Sequence, residues 1–434
     1  MAMVVYLGDS TANLFAGGID ADMVFGFGGN DILGGGAGND RLDGGIGDDV
    51  LDGGAGDDWL EGSSGNDSFS GGAGVDTVSY LNDPQGSAVI TIGMTGTGGT
   101  AEGDFIAADV ENLVGSQNFD SLGGSAGANY LYGAEGGDYL SGNGGDDRLD
   151  GGVGGDVLFG GDGIDTAIYF DSTAGVSVRI NATSSLGWAS GDIVLDDVEN
   201  IEGSNGFGDT ISGWSTANRL TGWGGDDSLS GLDGNDTLAG GAGADHLDGG
   251  AGIDIASYAE ATTGVAVNLG AGTGAGSIAQ GDTLVSIESV HGGAGNDSLA
   301  GSGGADVLLG NAGNDVLMGA GGRDALAGGA GVDRFTYGSA AQSPVGASDQ
   351  ITDFSHAQGD RIDLVSIDAN SVVAGNQVFS FIGTAAFGHV TGQLRAETVA
   401  GVTSVYGDIN GDGTADFQIR CAGAITLVPA DFAL

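Results

Sequence analysis

Cut every nine residues, the stretch 17–79 reads GGIDADMVF, GFGGNDILG, GGAGNDRLD, GGIGDDVLD, GGAGDDWLE, GSSGNDSFS and GGAGVDTVS. Position six is aspartate in every unit: Asp22, Asp31, Asp40, Asp49, Asp58, Asp67 and Asp76. Position eight is always apolar: Val24, Leu33, Leu42, Leu51, Leu60, Phe69 and Val78. A chain in this register has few options. The glycines allow a tight loop whose backbone visits positive φ. The closing x-apolar-x is a very short strand with one side chain inward and its neighbours outward. One apolar residue in nine makes no core alone, so the units must stack on one another.

The register returns after each interruption. Residues 8–16 form an imperfect unit with Asn13 in the aspartate place, as expected of a solenoid's terminal cap. With it, residues 1–79 make the first block. Residues 115–168 form a second, with Asp120, Asn129, Asp138, Asp147, Asp156 and Asp165 at position six. Residues 204–257 form a third, with Asp209, Asn218, Asp227, Asp236, Asp245 and Asp254. Residues 292–336 form a fourth, with Asp297, Asp306, Asp315, Asp324 and Asp333. The inserts 80–114, 169–203 and 258–291 share one plan: a Tyr, a five-residue alternating segment, a Gly-rich turn, then Gly-Asp and an apolar-acidic stretch. Alternation predicts half-buried strands, and some 35 residues build no independent core, so each insert is expected to continue or cover the solenoid. A longer period lies above the nonapeptide. GGAGVDTVSY, GGDGIDTAIY and GGAGIDIASY start at Gly71, Gly160 and Gly249, each 89 residues after the last (160 − 71 and 249 − 160).

These units resemble the glycine-rich calcium-binding nonapeptide of RTX proteins, a motif with a known structural reading. The resemblance implies an all-β fold, a right-handed parallel β-roll or solenoid in four blocks, with two nonapeptides per coil. It also implies Ca2+ between successive loops, held by backbone carbonyls and the position-six aspartates. Residues 337–434 lack the register. Their segments DQITDFSHAQGDRIDL, FSFIGTAAF, TGQLRAE, GDINGDGTADFQIR and PADFAL resemble the C-terminal module of serralysin-type metalloproteases. That module completes the roll and carries an uncleaved type I secretion signal. The implied partner is the type I secretion machinery, and the implied location is extracellular or at the cell surface. Removing Asp431–Leu434 is expected to stop export and to leave calcium-driven folding intact.

Composition agrees with a cation-dependent fold. Nine basic residues, all Arg, face 60 acidic ones for a net charge of −51, with 94 Gly. Such a chain would otherwise be disordered by self-repulsion. Nucleic acid and anionic membrane need basic patches that it lacks, and no run approaches the ~18 apolar residues of a spanning helix. The first residues, MAMVVYLGDS, lack the basic region of a cleaved signal. Cys421 is the single cysteine, so no internal disulfide is possible. If each ion bridges loops two units apart, blocks of eight, six, six and five units hold about 17 Ca2+. Units with Asn13, Asn129 or Asn218 should bind weakly or not at all.

A second candidate is the loop with Asp408, Asn410, Asp412, Gly413 and Asp416, which matches the first half of an EF-hand loop. No glutamate stands at its twelfth place, where Ile419 lies, and an Asx-turn hairpin explains it nearly as well. Catalysis finds no support. The histidines His246, His291, His356 and His389 lie outside any HExxH. A GxSxG match at 123–127 falls across two nonapeptides instead of between a strand and a helix. The expected protein is a secreted, calcium-folded, non-catalytic one with a structural or adhesive role. The alternative is a carrier module for an extracellular hydrolase or polysaccharide-processing enzyme. Apolar or aromatic residues at outward positions, among them Phe25, Trp59, Tyr130, Tyr132 and Phe159, raise self-association; a cell-surface polysaccharide is the other partner expected.

Overall fold

The computed structural model describes residues 3–82 and 88–434. The chain divides into two compact units, Met1–Trp214 with Asn218–Leu220, and Ser215–Ala217 with Thr221–Leu434. Both are built mainly from short parallel strands, and no α-helix occurs among the described residues.

Within the blocks of the first unit, strands pair with a constant offset of eighteen. Val5 lies beside Met23, Met23 beside Arg41, Arg41 beside Trp59 and Trp59 beside Thr77 on one face. Leu14, Ile32, Val50 and Ser68 follow one another on the other. Two nonapeptides therefore make one turn of a parallel β-roll. The central residue of each strand points in, and Val24, Leu33, Leu42, Leu51, Leu60, Phe69 and Val78 are all buried. One such side chain contributes about 1.5–3 kcal/mol on burial, less than the backbone entropy of the nine residues that present it. Apolar packing alone cannot hold this fold. The turn is tight enough to require glycine: at Gly54, with φ 104°, an added Cβ would lie 2.2 Å from the carbonyl oxygen of Gly36.

The inserts continue the roll. Asn112–Val114 pairs with Thr77–Ser79 on one side and Tyr130–Tyr132 on the other, so the first face runs on unbroken. The second face is spliced. Phe105–Ile106 pairs with Ser68–Phe69, while Val89–Thr91 starts a new sheet against Ser121–Gly123. Thr95 and Thr97 bridge the two in antiparallel fashion. The second insert repeats this, with Ile193–Val194 on Val157–Leu158, Ser177–Arg179 on Thr210–Ser212, and Thr183 and Ser185 between.

The second unit uses the same register. Ser228–Asp233 pairs with His246–Ala251, and Val307–Leu309 with Ala325–Ala327. Its insert places Thr273–Ala275 antiparallel to Ala266–Asn268 and to Thr283. Residues 337–434 supply the last rungs. Gln350–Ile351 stacks on Ala325 and Leu326, and Arg361–Asp363 on Arg334–Thr336. An antiparallel meander of Gln393–Val399, Val402–Asp408 and Phe417–Ala422 adds to the first of these. Phe432–Ala433 pairs with Ile362 and Asp363, with Asp431 and Phe432 buried. The tail is therefore a strand of the roll, where the sequence alone places it apart from the repeats. Its β-propensity is slight, and it pairs because it covers an open sheet edge.

Candidate metal array

Each position-six aspartate sits just before a strand, buried at the inner edge of its loop. Within a block its Oδ1 accepts the backbone N–H of the residue eighteen earlier, mostly the aspartate of that unit. Asp120, Asp209 and Asp297 instead accept Ala88, Val176 and Val265 of the inserts. Asp22 donates to Asp40 at 2.6 Å, Asp40 to Asp58 at 2.7 Å and Asp58 to Asp76 at 2.9 Å along one edge. Asp31 donates to Asp49 at 2.7 Å and Asp49 to Asp67 at 2.8 Å along the other. Later blocks repeat the ladder, as in Asp120 to Asp138, Asp147 to Asp165, Asp236 to Asp254 and Asp315 to Asp333.

The second carboxylate oxygen divides the array into two kinds of unit. In the first two units of every block, a backbone N–H from the start of the same loop closes it. Gly18 donates to Asp22, Ser116 to Asp120, Ser204 to Asp209, Gly293 to Asp297 and Ser302 to Asp306. The side-chain oxygens of Asn13, Asn129 and Asn218 are closed likewise by Asp9, Ser125 and Trp214. In later units the oxygen is buried without a hydrogen-bond donor: Asp31, Asp40, Asp49, Asp58, Asp67 and Asp76, then Asp138, Asp147, Asp156 and Asp165, then Asp245 and Asp254, then Asp315, Asp324 and Asp333. Asp227 and Asp236 stand at equivalent places in the third block. These are the units with another loop before them on the same edge.

A buried carboxylate oxygen without a partner is costly, and the same burial favours the protonated form of these acids. Burial, reinforced by neighbouring carboxylates, pushes Asp67 and Asp138 up to about 8, Asp147 and Asp324 to about 7, and Asp58 to about 6. The cradle has no room for a side chain. A Cβ at Gly53 would lie 2.4 Å from Asp58 Oδ2 and 2.7 Å from the carbonyl oxygen of Gly71. Among the described residues no three His, Cys, Asp or Glu side chains converge on a metal position. A cation in the array would thus take carboxylates singly or in pairs and the rest of its shell from loop carbonyls. Hard oxygen donors without imidazole or thiolate fit calcium.

Carboxylates outside the nonapeptides extend the ladder. Through Oδ1, Asp104, Asp192 and Asp282 accept the N–H of Asp67, Asp156 and Asp245 at 2.7, 2.8 and 3.0 Å. Their Oδ2 atoms accept the buried hydroxyls of Tyr80, Tyr169 and Tyr258 at 2.9, 3.0 and 2.9 Å. On the other edge Glu111, Glu199 and Glu288 accept the N–H of Asp76, Asp165 and Asp254. The amides of Asn129 and Asn218 then donate to the carbonyls of Glu111 and Glu199. Asp349 and Asp360 end the ladders of Asp324 and Asp333. The nine-residue register does not reveal these groups. The available signal is the Gly-Asp that follows each insert tyrosine by 23 or 24 residues.

The loop at residues 408–416 is a hairpin closed by its own amides. Asp408 accepts Gly411 and Gly413, Asp412 accepts Thr414, Asp416 accepts Ile409 and the Asn410 amide, and Asn410 accepts Asp412. The histidines are scattered. His246 is exposed beside Thr283, and His356 pairs with the buried Asp431. Cys421 is buried, its thiol pushed up to about 12 by burial.

Family models match most of the chain. The RTX calcium-binding nonapeptide repeat model, four copies long, matches residues 7–42, 43–78, 107–140, 132–167, 198–229 and 222–256. The Peptidase M10 serralysin C terminal model matches residues 260–434, so its match takes in the third insert and the fourth block. A search of curated proteins found no match. Among solved structures, a subunit of the mannuronan C5-epimerase of Azotobacter vinelandii is 28% identical over 33% of this chain and 76% of its own, with a TM-score of 0.25. The extracellular lipase of Serratia marcescens is 18% identical over 52% of this chain and 40% of its own, with a TM-score of 0.19. On the repeat ladder and the two family matches together, this chain is a secreted RTX calcium-binding repeat protein with a serralysin-type C-terminal module.

Proposed function

We propose that the chain is a non-catalytic scaffold that folds on extracellular calcium and acts as a structural or adhesive protein at the cell surface or in the matrix. The observation that carries this reading is the division of the carboxylates. Oxygens are closed by backbone amides where no loop precedes, and left open at Asp31, Asp40, Asp49, Asp58, Asp67, Asp76, Asp138, Asp147, Asp156, Asp165, Asp245, Asp254, Asp315, Asp324 and Asp333. Counting Asp227 and Asp236, which hold the equivalent places in the third block, the units with a loop before them on the same edge number about 17, one for each pair of stacked loops. Bound calcium would supply the positive charge that lets buried carboxylates stay ionised. Without it they repel, and a glycine-rich chain bearing −51 stays expanded, a state suited to passage through a secretion channel. The proposal does not extend to the hairpin at 408–416, whose amides already serve its carboxylates.

A calcium titration followed by circular dichroism, light scattering and ion counting tests the folding half. Cooperative conversion from coil to β-structure with about 17 ions is expected, and a compact β-fold in excess chelator at pH 8 overturns it. Fractionation of expressing cells tests the role. Retention on cells or matrix, released by chelator, is expected of a scaffold. Recovery from the medium in complex with a hydrolase overturns that role in favour of a carrier.

A further inference from the structure

A cleft of about 470 Å3 opens on the spliced face of the first unit, where the first insert meets the second block. Its walls come from three sources. Thr91 and Met94 belong to the insert, Ser121 to the first strand of the block, and Tyr139, Ser141 and Asn143 to the next strand and its turn. The register sets their spacing, with Thr91 beside Gly123, Gly123 beside Ser141, and Ser121 beside Tyr139. Depth comes from Gly123, where a Cβ would lie 2.6 Å from Thr91 Oγ1. At these two places the second insert has Arg179 beside Ser212 and the third has Asn268 beside Ala300, so this lining is peculiar to the first.

The chemistry of the lining is unlike the rest of the chain. Sixty acidic residues are spread over 434 positions, yet no side chain around the cleft is charged. It holds hydroxyls, one amide, a thioether and a phenol ring that is 41% exposed. The Asn143 amide is fixed by its bond to the Gly124 carbonyl, 2.9 Å. Ser125, the serine of the GxSxG match, also borders the cleft. Its hydroxyl faces Asn129 and accepts Gly127 N–H, with no base beside it, so it is no nucleophile. An exposed aromatic face beside neutral donors and acceptors at fixed spacing suits a pyranose, which offers a C–H face for stacking and equatorial hydroxyls at its rim. The field of a chain this acidic repels anionic ligands.

We propose that this cleft binds a neutral oligosaccharide, stacking one sugar ring on Tyr139 and hydrogen-bonding its hydroxyls through Thr91, Ser121, Ser141 and Asn143. The proposal rests on the adhesive reading above and supplies its ligand class. The test is isothermal titration of the full calcium-loaded chain with cellohexaose, maltohexaose and mannohexaose, with hexagalacturonate as the charged arm. At least one neutral hexamer should bind. Tyr139→Ala, and Gly123→Ser, which fills the floor with the residue found at the equivalent place in the third block, Ser212, should each weaken it tenfold or more. Tyr130→Ala on the opposite face should leave it unchanged. The proposal is overturned if no neutral hexamer binds, if binding survives both cleft substitutions, or if hexagalacturonate binds as well or better. Calcium-dependent circular dichroism on the same samples keeps the two readings apart: a normal folding response without sugar binding removes the cleft and leaves the scaffold.

Discussion

Asp58 and Asn129 hold the same place in the nonapeptide and meet opposite fates. Asp58 leaves an oxygen buried without a donor, while the Asn129 amide donates to the Glu111 carbonyl at 2.7 Å. An amide can therefore stand where a carboxylate needs a cation. Asp58→Asn should keep the roll folded in calcium and lower the ion count by one or two, read by native mass spectrometry. An unchanged count would remove Asp58 from the ligand set. The raised aspartates also fix a pH dependence. Asp67, Asp138 and Asp147 hold protons in the metal-free fold up to about 8, 8 and 7, against an ordinary value of 3.8. The unfolded chain has released those protons at neutral pH. Their contribution to metal-free stability is thus full below about 3.8, shrinks steadily as pH rises above that, and is gone once pH passes about 7 to about 8. Chelated protein should gain β-structure on acidification toward pH 4. The calcium needed to fold it should rise as pH falls from 8 to 5, because protons compete for the same oxygens. A calcium midpoint independent of pH would show that these carboxylates are not the ligands. At this scale the sequence was highly legible, since position six named the buried acids directly. The block count also set aside the first two units of each block, but it could not show that backbone amides close their oxygens, because that depends on the local fold of the loop.

At the scale of elements, alternation in residues 88–92, 176–180 and 265–269 predicted strands, and Val89–Thr91, Ser177–Arg179 and Ala266–Asn268 are strands. Their pairing was not legible. Nothing local to Phe105 or Ile193 says that each lies on a strand some 36 residues earlier, with a hairpin arm between. The tyrosines were visible as a repeated letter, but their job depends on a carboxylate brought in by that splice. Tyr169 shows it best, fully buried with its hydroxyl on Asp192 at 3.0 Å. Tyr169→Phe keeps the packing and strips the donor, at a cost of about 1–3 kcal/mol. Calcium-loaded protein should melt earlier, and the loss should shrink at low pH, where Asp192, pushed up to about 7 by burial, carries its own proton. Equal melting of variant and parent at pH 8 would show that the bond contributes nothing.

At the scale of the whole molecule, the C-terminal strand sets folding against export. Phe432 is buried and Phe432–Ala433 pairs with Ile362 and Asp363, so a signal in these residues is accessible only before the roll closes. Deleting Asp431–Leu434 should lower the melting temperature of calcium-loaded protein as well as stop secretion. An unchanged melting curve would show that the tail adds nothing to the fold. Magnesium should not replace calcium in folding, since it dehydrates reluctantly and demands a strict octahedron; β-structure at millimolar magnesium alone would contradict the calcium reading. The spliced inserts bear on how such a chain can lengthen. Each 89-residue period carries its own ladder ends: a tyrosine-capped aspartate, a glutamate, and amide-closed opening units. Duplicating one period in the gene adds a column that already has both its ends, and no existing column has to be redesigned to receive it.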